Sequence, residues 1–172
     1  MADTVRFLPQ PACSRGVEPQ SETIMYTRML VPTDGTPCSL AAAEYARDLL
    51  KLNPSAQLTV LHVRRKPQPV YRVYRWQEVE VPPSEEEKRR ICEAEERLLA
   101  RTEKIFTDAG LVTDSDVVIG APGEEICAYA EKGGYDLIVM GSQGAGDIKT
   151  CAKSVSLHVS HMAKCPVLVV KV

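Results

Sequence analysis

Short apolar runs alternate along the chain with longer segments of helical periodicity. Met29 to Pro32, Gln57 to Val63 and Thr113 to Gly120 have the length and composition of strands buried in a sheet. Leu137 to Met140 and Val167 to Val172 follow nearer the carboxyl terminus. Because helical segments separate these runs, the pattern predicts an α/β domain with a doubly wound, five-stranded parallel sheet and helices on both faces.

Capping residues mark the first two helices. The first, roughly Cys38 to Leu52, follows Thr36-Pro37 and is predicted to bury Ala42, Ala43, Ala46, Leu49 and Leu50. Ser84 and Glu87 form a capping box for the second. Its apolar face is predicted to contain Ile91, Ala94, Leu98, Ile105 and Phe106, and its EEEKRR and EAEER runs are expected to form a solvated face.

A glycine-bearing loop joins the fourth strand to the last helix. It carries Gly141, Gly144 and Gly146, and the helix begins near Ser154 and stops before Pro166. Glycine allows close approach of the backbone, and the N–H groups of a helix amino end favour an anion. The spacing matches neither the Rossmann nor the P-loop pattern, so turning the chain is an equally simple role for these glycines.

Two segments interrupt the regular alternation. Residues 1–26 are predicted to be a mobile N-terminal arm, with ordering against a partner subunit as the alternative, and residues 27–172 form the domain. Within it, residues 64–83 make an excursion that contains VYRVYRW. Aromatics alternating with arginines suggest stacking on single-stranded nucleic acid. Because the stretch is short and the chain is negative, a lid or a subunit-contact hairpin is favoured.

Composition narrows the class of protein. The formal charge of -2 gives no bulk electrostatic reason to expect nucleic acid or an anionic membrane as partner. No segment has the apolar length needed to span a bilayer. The six cysteines contain no C-x-x-C pair, and the amino terminus lacks a basic region followed by an apolar run. We therefore expect reduced thiols in a single globular domain of the cytoplasm.

Five stretches together resemble the universal stress protein family: VPTDG, LHV, VVIGAPGEEI, YDLIVMGSQG and KSVSLHVSHMAKCPVLVVKV. The resemblance covers about residues 27–172 apart from the excursion. It implies the strand order 3-2-1-4-5 and a homodimer that pairs the last strand across its interface. Members of one subclass bind ATP and resemble G-x2-G-x9-G-[ST] in the fourth-strand loop; members of the other do not bind it.

The resemblance also implies a nucleotide site. The assigned residues are Pro32, Thr33, Asp34 and the backbone of Val63 on the adenine and ribose side, and Met140, Gly141, Gly144, Lys153, Ser154, Val155 and Ser156 around the phosphates. Lys153 falls where the family has glycine, and eight residues separate it from Gly144, so the loop is one residue short. Without the resemblance, Asp34 is interpreted as a turn residue before Gly35.

The expected function is that of a universal-stress-type regulatory protein that binds ATP, ADP or AMP, with Mg²⁺ accompanying the phosphates. The alternative is a nucleotide-free dimeric module whose short loop fills the crevice. We expect no efficient enzymatic activity, and at most slow ATP hydrolysis, because no catalytic residue or protein metal site is assigned. His62 is expected to be a satisfied core histidine, while His158 and His161 are expected to pack or face solvent.

Overall fold

A computed structural model describes residues 26–66, 70–74, 77–142 and 154–172. The elements are β1 (Arg28–Thr33), α1 (Pro37–Leu52), β2 (Gln57–Arg64), β3 (Val70–Tyr74), β4 (Gln77–Val81), α2 (Glu85–Thr107), β5 (Asp114–Ile119), α3 (Pro122–Gly133), β6 (Leu137–Gly141), α4 (Val155–Met162) and β7 (Val167–Val170). The five predicted core strands and four predicted helices are confirmed. Two short strands are added within the excursion.

The main sheet is parallel and has the order β5-β2-β1-β6-β7. Counting its five strands along the chain, this is the predicted order 3-2-1-4-5. The chain first builds outward from β1 through β2 to β5, and then returns to the other side of β1 with β6 and β7. The order therefore reverses between β1 and β6, the place where open parallel sheets commonly gather ligands at the carboxyl ends of their strands.

Successive residues of β1 supply opposite faces of the sheet. Met29 and Val31 belong to a core cluster with α1 and α2, whereas Leu30 belongs to a cluster with α3 and α4. All three side chains are almost completely buried. A strand covered on both faces has no polar side to present, which explains its continuous apolar sequence.

Helix α1 begins and packs as its sequence predicts. The Thr36 hydroxyl accepts a hydrogen bond from Ser39 N, and Pro37 occupies the first turn. The predicted apolar face is confirmed, with four residues buried and Leu49 partly buried: Ala42, Ala43, Ala46 and Leu50.

Helix α2 differs from its prediction in its first half. The capping box of Ser84 and Glu87 is present, and Phe106 is buried as expected. Ile91 and Ala94, however, are exposed, so this part of the predicted apolar face is not buried. The physical reason is length: α2 has 23 residues, about 35 Å at 1.5 Å per residue. The eight residues of β2 cover only about 26 Å, so the helix extends beyond the sheet.

The excursion forms a separate antiparallel pair between β2 and α2. Strands β3 and β4 pair from Val70↔Val81 to Tyr74↔Gln77. A hairpin is thus present, and its role as a lid or subunit contact stays a prediction. The predicted arm, residues 1–26, lies outside the described residues except for Tyr26, whose carbonyl accepts a hydrogen bond from the Asn53 amide.

Within the described residues, no helix combines the length and apolar character needed to cross a bilayer. Four cysteines in this part of the chain are free thiols: Cys38, Cys92, Cys127 and Cys165. Burial raises the pKa of the Cys127 and Cys165 thiols, which lowers their thiolate content at neutral pH. Cys13 and Cys151 lie outside the described residues.

Asp136 joins the starts of the two central strands. Its carboxylate accepts hydrogen bonds from Thr27 N and Thr27 Oγ1, both at 2.7 Å, and from Arg28 N at 3.0 Å. Burial alone raises the pKa of this carboxyl group, but the hydrogen bonds from Thr27 and Arg28 outweigh it and hold the pKa below its usual value. The ionised carboxylate therefore stabilises the junction of β1 and β6.

We expect Asp136→Asn to lower the free energy of unfolding by about 1–2 kcal/mol at neutral pH, because an amide replaces one accepting oxygen with a donor. A depressed carboxyl pKa stabilises the fold above the unfolded value of about 3.9, and this contribution is lost as pH falls through the folded pKa. Urea unfolding at pH 7 and pH 3 should therefore show the difference shrinking in acid.

The matched control is Asp114→Asn, which changes an exposed carboxylate at the start of β5. It should alter stability by less than about 0.5 kcal/mol, as surface substitutions usually do. An Asp136→Asn penalty of equal size at both pH values would contradict a role for the ionised carboxylate.

Candidate functional site

The carboxyl ends of β1, β2 and β6 and the amino end of α4 surround the point of strand reversal. The structure brings nine of the predicted residues to this edge: Pro32, Thr33, Asp34, Val63, Met140, Gly141, Ser154, Val155 and Ser156. Gly144 and Lys153 lie outside the described residues. The structure therefore describes the side predicted to hold adenine and ribose and both ends of the predicted phosphate loop.

Asp34 shapes the turn between β1 and α1. Its Oδ1 accepts hydrogen bonds from Thr36 N at 3.1 Å and Thr36 Oγ1 at 2.6 Å. Gly35 follows with a φ of 74°, a conformation that favours glycine. Because Thr36 also caps α1, the Asp34 carboxylate lies at the positive end of that helix dipole. The turn role expected for Asp34 is thus present, and its ribose role stays a prediction.

Thr33 points into the protein. Its Oγ1 lies 3.3 Å from Ser39 Oγ and 3.1 Å from Thr102 Oγ1, and it also accepts a hydrogen bond from Gly35 N at 3.3 Å. These three hydroxyl-bearing side chains are buried together beneath the turn. The Thr33 side chain is therefore engaged in holding α1 and α2 to the end of β1.

The other residues predicted on the adenine side are mostly apolar. Pro32 is buried, and Met140 belongs to the core cluster on the α3 and α4 face. The last β1–β2 pair is Thr33↔His62, so Val63 lies one residue beyond the end of β1. On its other side Val63 pairs with Val118 of β5. Its backbone therefore lies at the carboxyl edge of the sheet, and its contact with adenine stays a prediction.

Gly141 allows α1 to approach β6 closely. A Cβ atom at this position would lie 2.6 Å from the backbone carbon of Cys38 and 2.7 Å from its carbonyl oxygen. Both atoms belong to the backbone, so no rotation of the Cys38 side chain would relieve the overlap. Sequence reasoning related this glycine to phosphate, and the structure adds a packing requirement.

A chain of hydroxyl groups joins the two ends of the predicted phosphate loop. Ser156 Oγ donates to the carbonyl oxygen of Ser142 at 3.1 Å and lies 2.9 Å from Ser154 Oγ. Since the Ser156 proton is used by Ser142, Ser154 is the donor between the two serines. Ser154 also caps α4 by accepting from Leu157 N at 3.3 Å. Residues 142 and 154 are thus connected across the segment between them.

A charged cluster beside the crevice was missed by sequence reasoning. His62 Nδ1 lies 2.9 Å from the carbonyl oxygen of Thr33, and Glu95 Oε1 lies 2.9 Å from Arg64 Nε. Among the described residues, Arg64 Nε has no acceptor in line with its N–H bond. Its contact with Glu95 is therefore an ion pair and not a hydrogen bond. Glu95 was assigned to a solvated face, which is wrong because its side chain is 12% exposed.

The remaining charged side chains of this edge do not form a metal centre. Among the described residues, no group of three histidine, cysteine, aspartate or glutamate side chains could hold a metal ion. The His158 ring lies against Gly123 of α3, which agrees with a packing role. An open groove of about 440 Å³ lies between the end of β2 and the junction of β5 with α3, and it is lined by cations and anions together, including Arg65, Lys66, Glu124 and Glu125.

Comparisons with known sequences agree with this arrangement. The sequence model described as the universal stress protein family matches residues 25–171. Universal stress protein YxiE of Bacillus subtilis (strain 168) is 30% identical over 151 residues, covering 86% of this chain and 100% of the relative. Universal stress protein Sll1654 of Synechocystis is 32% identical over 151 residues, covering 86% of this chain and 87% of the relative.

Solved structures share the fold. Universal stress protein UspA from Lactobacillus plantarum has a TM-score of 0.65 at 25% identity, covering 84% of this chain and 97% of that one. A universal stress protein in complex with cAMP has a TM-score of 0.63 at 22% identity, covering 85% and 97%. A universal stress protein from Archaeoglobus fulgidus in complex with dAMP has a TM-score of 0.57 at 18% identity, covering 85% and 98%.

We expect Ser156→Ala to destabilise the protein by about 1–2 kcal/mol, because it removes the bond to Ser142 and leaves that half-buried carbonyl without this partner. Ser160→Ala is the matched control, since Ser160 donates to Ser156 O within the same helix and is exposed. The control should change stability by about 0.5 kcal/mol or less. Urea unfolding of both variants checks this, and equal effects would mean that the tie across the loop contributes nothing specific.

Proposed function

The chain belongs to the universal stress protein family, and from this membership we propose that it is a cytoplasmic regulatory protein that binds an adenine nucleotide as a homodimer. The observation that carries the proposal is the meeting of three strand ends with the serine-capped amino end of α4 at the point of strand reversal. Adenine nucleotides are the proposed ligands because proteins of this fold have been solved with cAMP and with dAMP.

The bound nucleotide would lie across the carboxyl edge of the sheet. Its adenine would contact Pro32 and the backbone of Val63, with Thr33 supporting this side from below. Asp34 would accept hydrogen bonds from ribose hydroxyls, which a carboxylate beside a helix amino end is suited to do. The base and sugar would thus be recognised by the ends of β1 and β2.

The phosphates would extend towards β6 and α4. The residues proposed to surround them are Met140, Gly141, Gly144, Lys153, Ser154, Val155 and Ser156. The N–H groups and dipole of a helix amino end favour anions, and the two serine hydroxyls at the start of α4 can donate to phosphate oxygens. Lys153 would add a positive charge in place of the glycine that other family members carry. ATP, ADP and AMP differ in how much of this half they would occupy.

Mg²⁺ would accompany a triphosphate and be held mainly by phosphate oxygens and water, as is common for this ion. Asp34 is the carboxylate that the candidate site offers nearby. Efficient phosphoryl transfer requires a positioned nucleophile together with charge neutralisation, and no residue is assigned to the first task. The proposed role is therefore regulation through the bound nucleotide, with hydrolysis slow at most.

The second candidate is a nucleotide-free partner-binding module. It is favoured by the hydroxyl chain of Ser154 and Ser156, whose two protons are directed to acceptors within the protein. A phosphate would have to draw the Ser154 proton away from Ser156. In the module, this chain would stay intact and the loop would close the crevice.

We expect protein stripped of bound nucleotide to bind Mg-ATP with measurable heat in isothermal titration. Lys153→Met should lower the affinity for ATP roughly tenfold and change the affinity for adenosine little, because a charged contact to phosphate is worth about 1.5–3 kcal/mol. Lys164→Met is the matched control, since Lys164 follows the opposite end of α4 and pairs with Glu131. Absence of heat, with no nucleotide released on denaturation, would favour the nucleotide-free module.

We also expect the protein to sediment as a dimer at micromolar concentration. Strand β7 pairs with β6 on one side and forms an edge of the sheet on the other, and an edge strand presents backbone groups for pairing. Val172→Asp, at a side chain that is 83% exposed beyond this strand, should weaken the dimer. Val112→Asp, at a 92% exposed side chain before the opposite edge strand, should not. A monomer in the unmodified protein would contradict this interface.

A further inference from the structure

One face of α2 covers the turn that carries Asp34. Glu95, Leu98 and Thr102 are spaced three and four residues apart, so they lie on the same side of the helix. Thr102 is completely buried, and its hydroxyl lies 3.1 Å from that of Thr33. A Cβ atom on Gly35 would come within 3.1 Å of Leu98 Cγ. The helix therefore contacts the turn both before and after Asp34.

His62 holds the same turn through its backbone. Its Nδ1 lies 2.9 Å from the Thr33 carbonyl oxygen. Because a carbonyl oxygen only accepts, Nδ1 must carry the proton and donate it. The other ring nitrogen, Nε2, lies 4.0 Å from Glu95 Oε1, and both side chains are largely buried. The bond to β1 thus sets the tautomer of His62, while the carboxylate on α2 lies near Nε2 but beyond hydrogen-bond distance.

Charged and polar side chains make this contact between α2 and β2. Glu95 also pairs with Arg64 at the end of β2, at 2.9 Å. Removing such charges from water is costly, and apolar side chains of similar size would pack α2 at least as well. Unlike apolar packing, the polar cluster fixes an orientation, because the hydrogen bond from His62 holds one carbonyl group at the end of β1. That carbonyl belongs to the residue immediately before Asp34.

We propose that His62 is a positioning residue for the ribose side of the crevice, holding the Thr33 carbonyl so that Asp34 meets the sugar hydroxyls. Glu95, which pairs with Arg64, lies on the other side of the imidazole. This inference rests on the proposed nucleotide function and specifies one property of it: the site distinguishes a ribonucleotide from its 2′-deoxy counterpart. A residue that merely stabilised the core would affect both nucleotides equally.

The test compares the affinities of ATP and 2′-deoxy-ATP by isothermal titration. The unmodified protein is expected to bind ATP roughly tenfold more tightly, the size of one hydrogen bond from a hydroxyl to a carboxylate. In His62→Ala the two affinities should agree within about twofold, because the Thr33 carbonyl no longer holds Asp34 in position for the ribose hydroxyls. Thermal unfolding of each variant measures stability separately from discrimination.

His62→Asn provides the decisive rescue. Its Nδ2 is separated from the backbone by the same number of bonds as His62 Nδ1, so it can donate to the Thr33 carbonyl. It should restore the preference for ATP, whereas Glu95→Gln should reduce the preference in part. His161→Ala, at an exposed position on α4, is the control and should leave the preference unchanged. If His62→Ala does not fold, the Asn and Glu95→Gln variants still give the comparison.

The outcomes separate the inference from the function on which it rests. Binding of both nucleotides with equal affinity by the unmodified protein would overturn the inference and leave nucleotide binding standing. An undiminished preference in His62→Ala, or no rescue by His62→Asn in a folded protein, would also overturn it. Failure of the unmodified protein to bind either nucleotide would remove the proposed function and the inference together.

Discussion

The close contact between α1 and Gly141 is the constraint on which the candidate site depends. The first turn of α1 follows directly from the Asp34 turn, and the backbone of Cys38 leaves no room for a side chain at Gly141. One contact therefore joins the end of β1 to the end of β6. Because these strands flank the reversal of order, the same contact fixes how α1 sits over the edge where the candidate site lies.

Many polar groups around the crevice already have partners within the protein. Thr36 donates twice to Asp34, and Ser156 donates to the carbonyl of Ser142. Buried or half-buried polar groups are costly when unsatisfied, so these bonds stabilise the edge of the sheet in the absence of a ligand. A ligand bound at this edge would then exchange hydrogen bonds rather than add them.

The sequence predicts most of the fold because its signals are local. Apolar runs give the strands, and capping residues such as Thr36 and Ser84 give the helix starts. Ile91 was misplaced because periodicity describes which side of a helix is apolar but not where the supporting sheet ends. The helical pattern continues past that limit, where Ile91 is 37% exposed.

The candidate site was predictable only in part. Its assigned residues came from a resemblance between short motifs, each of which follows a strand or begins a helix. The contacts that hold these residues could not be predicted from such motifs. Thr33 and Thr102 lie 69 positions apart, and His62 lies near Glu95 across the excursion. No local pattern relates such pairs. Glu95 in particular lies among charged residues that are exposed, and only the packing of α2 on β2 distinguishes it from its neighbours.

The two halves of α2 have different roles in this arrangement. In the first half, the capping box and ion pairs at helical spacing, such as Arg90 with Glu86, stabilise turns that the core does not cover. In the second half, Leu98 and Thr102 contact the turn before and after Asp34. Both halves belong to one continuous helix of 23 residues. The helix that follows the β3–β4 hairpin therefore also packs on the turn between β1 and α1.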